Sequence, residues 1–219
     1  MRCSECSNTI KPLVAIDIDG TLGDYHTHFL RFADAYLGDT IPFVSPSYAG
    51  QCSFKEWFMT GYGCDESTWQ TIKLAYRQGA QKRSMPSYPD AQWLVNNLRW
   101  DNVEVWLTTT RPYLRLDGVD PDTRAWLDRI GIEYDGLLYD EDKYHVLGER
   151  IDPDRVVAVL DDLPEMYDAA AQVFGKDIPI LAKQDYNADT TRPNEAESLG
   201  AALGMIQDRL ESWYGKFSN

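Results

Sequence analysis

Apolar and polar positions fall into blocks along this chain. Leu13-Val14-Ala15-Ile16 is a short run without a polar residue, and it stops abruptly at Asp17. Val103 to Leu107, broken only by Glu104, is a second run, ending in Thr108-Thr109-Thr110, and Gly136 to Tyr139 is a third. Val156-Val157-Ala158-Val159-Leu160 is a fourth, and Ile178 to Leu181 a fifth. Near-continuous apolar runs of this length predict strands buried on both faces of a parallel sheet, because a strand with one wet face alternates instead.

The segments between these runs have helical spacing. Pro89 to Trp100 places Ala91, Leu94 and Leu98 on one face. Asp120-Pro121 reads as an N-cap and first-turn pair ahead of Trp126, Leu127 and Ile130, with Gly131 as the stop. Pro164 to Phe174 carries Met166, Tyr167, Ala170 and Val173, and Gly175 ends it. Leu199, Leu203, Ile206, Leu210 and Trp213 form the stripe of a terminal helix over 195–215, read as docked on the core, with a homodimer contact as the alternative. Strand–helix alternation predicts an α/β fold, a doubly wound Rossmann-like parallel sheet. The alternation is interrupted once, over 22–88. There Phe29, Leu30, Ala33, Tyr36 and Leu37 share a face that stops at Gly38, followed by Phe54, Trp57 and Phe58 and then Trp69, Ile72 and Tyr76. This stretch reads as a small helical domain inserted after the first strand, the core being 1–21 and 89–219.

Charge narrows the functional classes. The formal net charge is −14 over 219 residues, which disfavours sequence-independent nucleic-acid binding. A small phosphorylated partner fits this charge better, because a metal and a few local cations neutralise it at the site. No apolar run reaches membrane-spanning length and the N-terminus does not resemble a signal peptide, so the expectation is a soluble, cytoplasmic protein with no membrane partner. Cys3, Cys6, Cys52 and Cys64 are read as free thiols, with a zinc site built from the two pairs as the alternative.

The chemistry sits where the apolar runs end. In an open parallel sheet, ligands bind outside the carboxyl ends of the strands. The first run leads into Asp17-Ile18-Asp19-Gly20-Thr21, the second into Thr108-Thr109-Thr110-Arg111-Pro112, the third into Asp140-Glu141-Asp142-Lys143, and the fourth into Asp161-Asp162. Carboxylates gathered on one edge repel one another unless a cation sits among them. Hard oxygen donors without a His/Cys set make magnesium the preferred ion.

These four segments, in this order, resemble the motifs of the haloacid dehalogenase-like phosphatase superfamily over residues 13 to 182. The resemblance implies a nucleophilic Asp17 that forms an aspartyl-phosphate, and an Asp19 that protonates the leaving oxygen and then activates water. It implies that Thr109, with Thr108 and Thr110 as alternatives, donates to a phosphoryl oxygen, and that Lys143 stabilises the developing charge. Magnesium would be held by Asp17, by Asp161 and Asp162, and by the backbone carbonyl of Asp19. Gly20 would permit a sharp turn beneath the phosphate, and Thr21, Thr110 and Arg111 would join it in binding substrate. The carboxylate at position 19 favours phosphatase over dehalogenase chemistry. Tyr76 through Arg83 to Pro86-Ser87-Tyr88-Pro89-Asp90-Ala91, with Asp142-Lys143 and Leu160-Asp161-Asp162, resembles the 5′(3′)-deoxyribonucleotidase branch, implying a nucleoside monophosphate substrate. Arg111 and the Thr123-Arg124-Ala125-Trp126-Leu127 segment are also similar to the phosphatase domain of polynucleotide kinases, so a polynucleotide 3′-phosphatase is the runner-up, beside other small-molecule phosphatases. A non-catalytic binding protein on the same fold is the reading from a different class.

Bland readings stand beside these. Asp-x-Asp-Gly-Thr is also an ordinary turn, Lys143 also an ordinary surface lysine, and Asp161-Asp162 also a helix N-cap. His26 and His28 read as polar residues at a helix start, with substrate contact as the alternative. Phe54, Trp57, Phe58, Trp69 and Tyr76 read as core of the inserted domain, one or two of them facing the site. Lys82 and Arg83 are either solvated or placed to meet a phosphate.

Overall fold

The computed structural model describes residues 10–38, 42–44, 53–111 and 116–217. Six strands form one sheet: β1 (Leu13–Asp17), β2 (Glu104–Thr109), β3 (Gly136–Tyr139), β4 (Val156–Asp161), β5 (Pro179–Ala182) and β6 (Glu195–Ala196). Their order is β3-β2-β1-β4-β5-β6, and every pairing is parallel. Asp17 lies opposite Thr108, and Ile16 opposite Leu160. Thr109 lies opposite Tyr139, and Asp161 opposite Leu181. The carboxyl ends of the four central strands therefore finish close to one level. The strand order reverses at β1, between β2 and β4, which is where a doubly wound sheet opens a crevice for ligands.

The two faces of the sheet are covered separately, as the near-continuous apolar runs predict. Along β1, Val14 and Ile16 join one cluster and Leu13 and Ala15 the other. On the first face lie α4 (Ala91–Trp100), α5 (Val119–Arg129) and α8 (Leu199–Phe217), contributing Leu94 and Leu98, Trp126 and Leu127, and Leu203, Ile206 and Leu210. On the second lie α6 (Lys143–Arg150) and α7 (Pro164–Phe174), with Tyr144, Leu147 and Ala170. Fully burying each of these large side chains contributes about 1.5–3 kcal/mol. The stripe of α8, Trp213 included, is buried within the chain.

Several boundaries shift from the sequence reading, and two of the shifts have a clear physical reason. The terminal helix begins at Leu199, because Glu195–Ala196 pairs with β5 as a sixth strand too short to register as an apolar run. Helix α5 begins at Val119 with Gly118 as its N-cap, so Asp120-Pro121 lies inside the first turn. Proline is tolerated there because first-turn N–H groups lack helical acceptors anyway.

Between β1 and α4 come α1 (Tyr25–Leu37), α2 (Phe54–Tyr62) and α3 (Glu66–Gln78), then a 3₁₀ turn over Gln81–Ser84. Asp24 caps α1, a Ser53–Glu56 capping box starts α2, and Asp65 caps α3. The three helices enclose their own apolar cluster of Phe29, Phe58, Trp69, Ile72 and Tyr76. The two chain segments that join this insertion to the sheet are tied together: Asp24 N–H donates to Pro86 O and Tyr88 N–H to Leu22 O, each at 2.9 Å. Leu22 and Met85 pack into the sheet-side cluster. Helix α5 also grips the returning segment, since Trp126 Nε1 donates to Met85 O at 2.7 Å and Arg83 pairs with Asp122 at 2.6 Å. Among the described residues no helix is long and apolar enough to cross a membrane.

Candidate active site

The four acidic or polar strand ends meet at one place. Asp17, at the end of β1, and Asp161 and Asp162, at the end of β4, are buried and offer carboxylate oxygens that all lie within 4.8 Å of one another. Lys143, the first residue of α6, is fully buried beside them and donates to Asp17, while its Nζ lies 2.7 Å from Asp161. Burial alone would strip the Lys143 proton, but the neighbouring Asp161 and Asp17 charges outweigh it and hold the ammonium ionised. One ammonium among three carboxylates leaves negative charge uncompensated. Burial and the repulsion of Asp161 and Asp19 push Asp17 up against the pull of Lys143. Burial, Asp17 and Asp161 push Asp162 up as well.

Asp161 and Asp162 are also fixed by neutral groups. Asp161 accepts from the Tyr144 hydroxyl and from Leu163 N–H at 2.9 Å. Asp162 accepts from Thr21 Oγ1 at 3.0 Å and from the Tyr186 hydroxyl, and its carbonyl accepts from Asn187 Nδ2 at 2.7 Å. Neither acid N-caps α7, whose cap residue is Leu163. Gly20 passes so close to this group that a Cβ would sit 2.3 Å from Asp162 Oδ2, and its φ of +101° lies where side chains are disfavoured. Gln184 Nε2 holds the Gly20 carbonyl at 2.9 Å. The donor set of buried, closely spaced, hard oxygens with excess negative charge fits a magnesium ion.

Asp19 occupies a different environment. Arg111 Nε donates to it at 2.9 Å, a second guanidinium nitrogen bonds its other oxygen, and Lys82 from the returning 3₁₀ turn pairs with the same carboxylate. Burial would raise Asp19, but Arg111 and Lys82 outweigh it and hold the carboxyl well below the usual range. Arg111 is steadied by Thr123, to whose hydroxyl it donates at 2.6 Å. Thr108, opposite Asp17, is buried and its hydroxyl meets no partner. Thr109, also buried, accepts the Arg111 N–H at 3.4 Å, and Thr110 is exposed.

A cavity of about 210 Å³ opens from Asp19 and Arg111 toward the insertion. Tyr25, His26, Phe54 and Trp69 form its aromatic wall, and Thr110 and Lys82 also line it. His26 is held between Phe54 and Tyr186, each ring centroid 4.1 Å away, and burial pushes its pKa down to about 3. His28 faces elsewhere, bonding Tyr76 at 2.7 Å and Ser84 at 3.3 Å. Of the five aromatics singled out in sequence, Phe54 and Trp69 reach the cavity.

The structure thus gathers Asp17, Asp19, Gly20, Thr21, Thr109, Arg111, Lys143, Asp161 and Asp162 at one end of the sheet. Tyr144, Thr123, Tyr186, Asn187 and Gln184 were not foreseen. The last three lie just past the end of β5, where the strand-end rule would have found them. Cys3, Cys6, Cys52 and Pro112 lie outside the described residues; Cys64 is a free, half-buried thiol.

No family model matches the chain, and no curated protein matches it in sequence. Solved structures match its fold. A haloacid dehalogenase-like family hydrolase from Streptococcus pneumoniae aligns with a TM-score of 0.61 at 13% identity, over 91% of this chain and 100% of its own. A predicted phosphatase from Clostridium acetobutylicum aligns with a TM-score of 0.60 at 14% identity over the same shares. A predicted phosphoglycolate phosphatase from Haemophilus somnus 129PT gives 0.60 at 16% identity, again over 91% and 100%. The chain has the Rossmann-like core fold of haloacid dehalogenase-like hydrolases, with a buried aspartate cluster compatible with magnesium.

Proposed function

We propose that this protein is a magnesium-dependent phosphomonoester hydrolase that works through an aspartyl-phosphate on Asp17, and that its substrate is a nucleoside monophosphate. The observation that carries the reading is the burial of Asp17, Lys143, Asp161 and Asp162 as one group at the carboxyl edge of the sheet. A structural ion pair needs one acid for Lys143. Two further buried acids, pushed together and short of positive charge, are costly to folding and are explained by a ligand that brings cations.

Asp17, Asp161 and Asp162, with the Asp19 carbonyl, would hold the ion. Its chemistry is to neutralise the carboxylates and the phosphate so that an anion can approach an anion. Asp17 then attacks phosphorus, the ester oxygen leaves, and water later releases phosphate from the acyl-phosphate, splitting one displacement into two. Lys143 stays beside Asp17 to balance charge on the transferring group, and the Thr108 or Thr109 hydroxyl donates to a phosphoryl oxygen. Asp19 serves as acid and then base. Arg111 and Lys82 keep it ionised, and an incoming phosphate competes for both cations. In drawing them off, it removes the charges that hold Asp19 deprotonated.

The nucleotide reading rests on the aromatic wall above Asp19, where Tyr25, Phe54 and Trp69 offer ring surface for a base. Phosphate release from a panel of nucleoside monophosphates, sugar phosphates and a 3′-phosphorylated oligonucleotide, with magnesium and with EDTA, tests both parts. Magnesium-dependent release from nucleotides alone is the expected result. Release from another panel member replaces the substrate, and release from none overturns the enzyme.

A further inference from the structure

Helix α4 packs Ala91, Leu94, Val95 and Leu98 into the core and turns Gln92, Trp93, Asn96, Asn97 and Trp100 outward. Trp93 is 47% exposed and Trp100 78%. Two helical turns separate them, so they lie on one side of α4. Tyr214 of α8, 36% exposed, joins them, because its hydroxyl donates to Asp101 O at 3.0 Å, next to Trp100. Exposed aromatics are ordinary singly, but three on one surface mark a contact. The chain has a formal net charge of −14 and 26% charged residues, yet α4 has one charge, Arg99, which donates to Asp135 at 2.9 Å.

That charge pattern selects the partner. A basic protein is drawn to acidic surface elsewhere and gains nothing from this face. Two copies of this chain repel over most of their surface and approach at least cost where charge is lowest. Tryptophan and tyrosine with little charge is also the composition of an interface centre. The exposed parts of the three rings offer about 400 Å², roughly half of what each partner of a stable dimer buries. The surface supplies its own complement as well. Gln207 donates to Asp101 at 3.3 Å, so the side of α8 beside α4 carries Gly200, Gly204, Gln207 and Tyr214. A Cβ at Gly204 would meet nothing within 4 Å, and one at Gly200 only Ser198, so the two glycines leave a recess.

Helix α4 leads into β2 and α8 returns from β6, so both run toward the amino edge of the sheet. Trp100 stands at that edge and the glycine recess at the opposite end of the same face. A twofold axis between them sets the bulk of each copy onto the recess of the other, which is what a self-complementary contact requires. We propose that this protein is a homodimer joined through the outer faces of α4 and α8, with Trp100 of each copy seated against Gly200 and Gly204 of the other. The apolar stripe of α8 takes no part, being buried within the chain. The dimer does not depend on the hydrolase reading.

Sedimentation equilibrium of the full chain tests it. Wild type should sediment as a dimer of the 25.0 kDa chain, with a dissociation constant of about 1 μM that falls as salt screens the two acidic bodies. Trp100→Glu should raise the constant about a hundredfold, the loss of a central anchor. Gly204→Lys should do the same by filling the recess. Both positions are exposed, so each variant should keep the wild-type circular dichroism spectrum. Mixed in equal amounts, the two variants should form a heterodimer: one contact sets the introduced carboxylate against the introduced ammonium, and the other keeps the native tryptophan and glycine. A wild type that stays monomeric up to about 100 μM overturns the interface, whatever covers Trp100 instead. A dimer indifferent to either variant, or a mixture that stays monomeric, overturns it too.

Discussion

The sheet edge and the helical insertion both place buried charge near Asp19, but they hold it in opposite ways. At the edge, Asp17, Asp161 and Asp162 converge from neighbouring strands around Lys143, and Asp161 and Asp162 are fixed by further bonds from Tyr144, Thr21 and Tyr186. Negative charge is in excess there. Across the cavity, α3 and the returning turn present Lys73 against Trp69 and Lys82 against Tyr25, and the basic side chains lining the cavity outnumber the acidic ones. The first arrangement suits chemistry that is the same for every phosphoester, and the second suits choosing among them. Arg111 and Lys82 meet on Asp19 and join the two regions.

If that division is right, changes at the edge reduce turnover of every substrate, and changes in the insertion alter selection. The largest effect belongs to Asp17→Asn, which should abolish phosphate release while leaving the circular dichroism spectrum and melting temperature of a folded protein. Removal of magnesium by EDTA should do the same reversibly, activity returning when the ion is restored. Asp19→Asn should lower kcat by about 10²–10⁴-fold, the range for a lost general acid and base; an unchanged rate would remove Asp19 from that role. Lys143→Met should lower kcat and also cost about 3–5 kcal/mol, as breaking a buried ion pair does. Thermal melting should then show a drop of roughly 10 °C that magnesium partly restores. Phe54→Ala should raise KM for nucleotides by about tenfold, the effect of one lost base-stacking contact. A sugar phosphate without a base should be much less affected. The smallest effect is expected of Tyr186→Phe, which removes one of the two hydroxyls on Asp162 and should cost about 1 kcal/mol in denaturant unfolding.

The same division explains what could be read from sequence. Strand ends announce themselves, because an all-apolar run that stops at Asp17 or Asp161 leaves the acid nowhere to go but the crevice. Lys143 followed from its position between the third and fourth runs. Tyr144 did not, because a tyrosine at the start of an apolar helix face looks like core, and much of its ring is core. Tyr186 and Asn187 sit in a 3₁₀ turn with no periodicity to mark it. In the insertion, Phe54 and Trp69 share helix faces with Phe58 and Ile72, so no spacing separates rings that face the cavity from rings that fill the cluster. The Lys82–Asp19 pair joins residues far apart in the chain, and the knot between Asp24, Pro86, Leu22 and Tyr88, with the grip of α5 on Met85 and Arg83, brings them together.

The most direct measurement is a single turnover with a substrate labelled at phosphorus, quenched in acid and digested to peptides. The account predicts a phosphoryl group, labile to hydroxylamine, on the peptide carrying Asp17, and no label in Asp17→Asn. Phosphate release at full rate with no labelled peptide at any time point would mean that water attacks phosphorus directly, and would contradict the role given to Asp17.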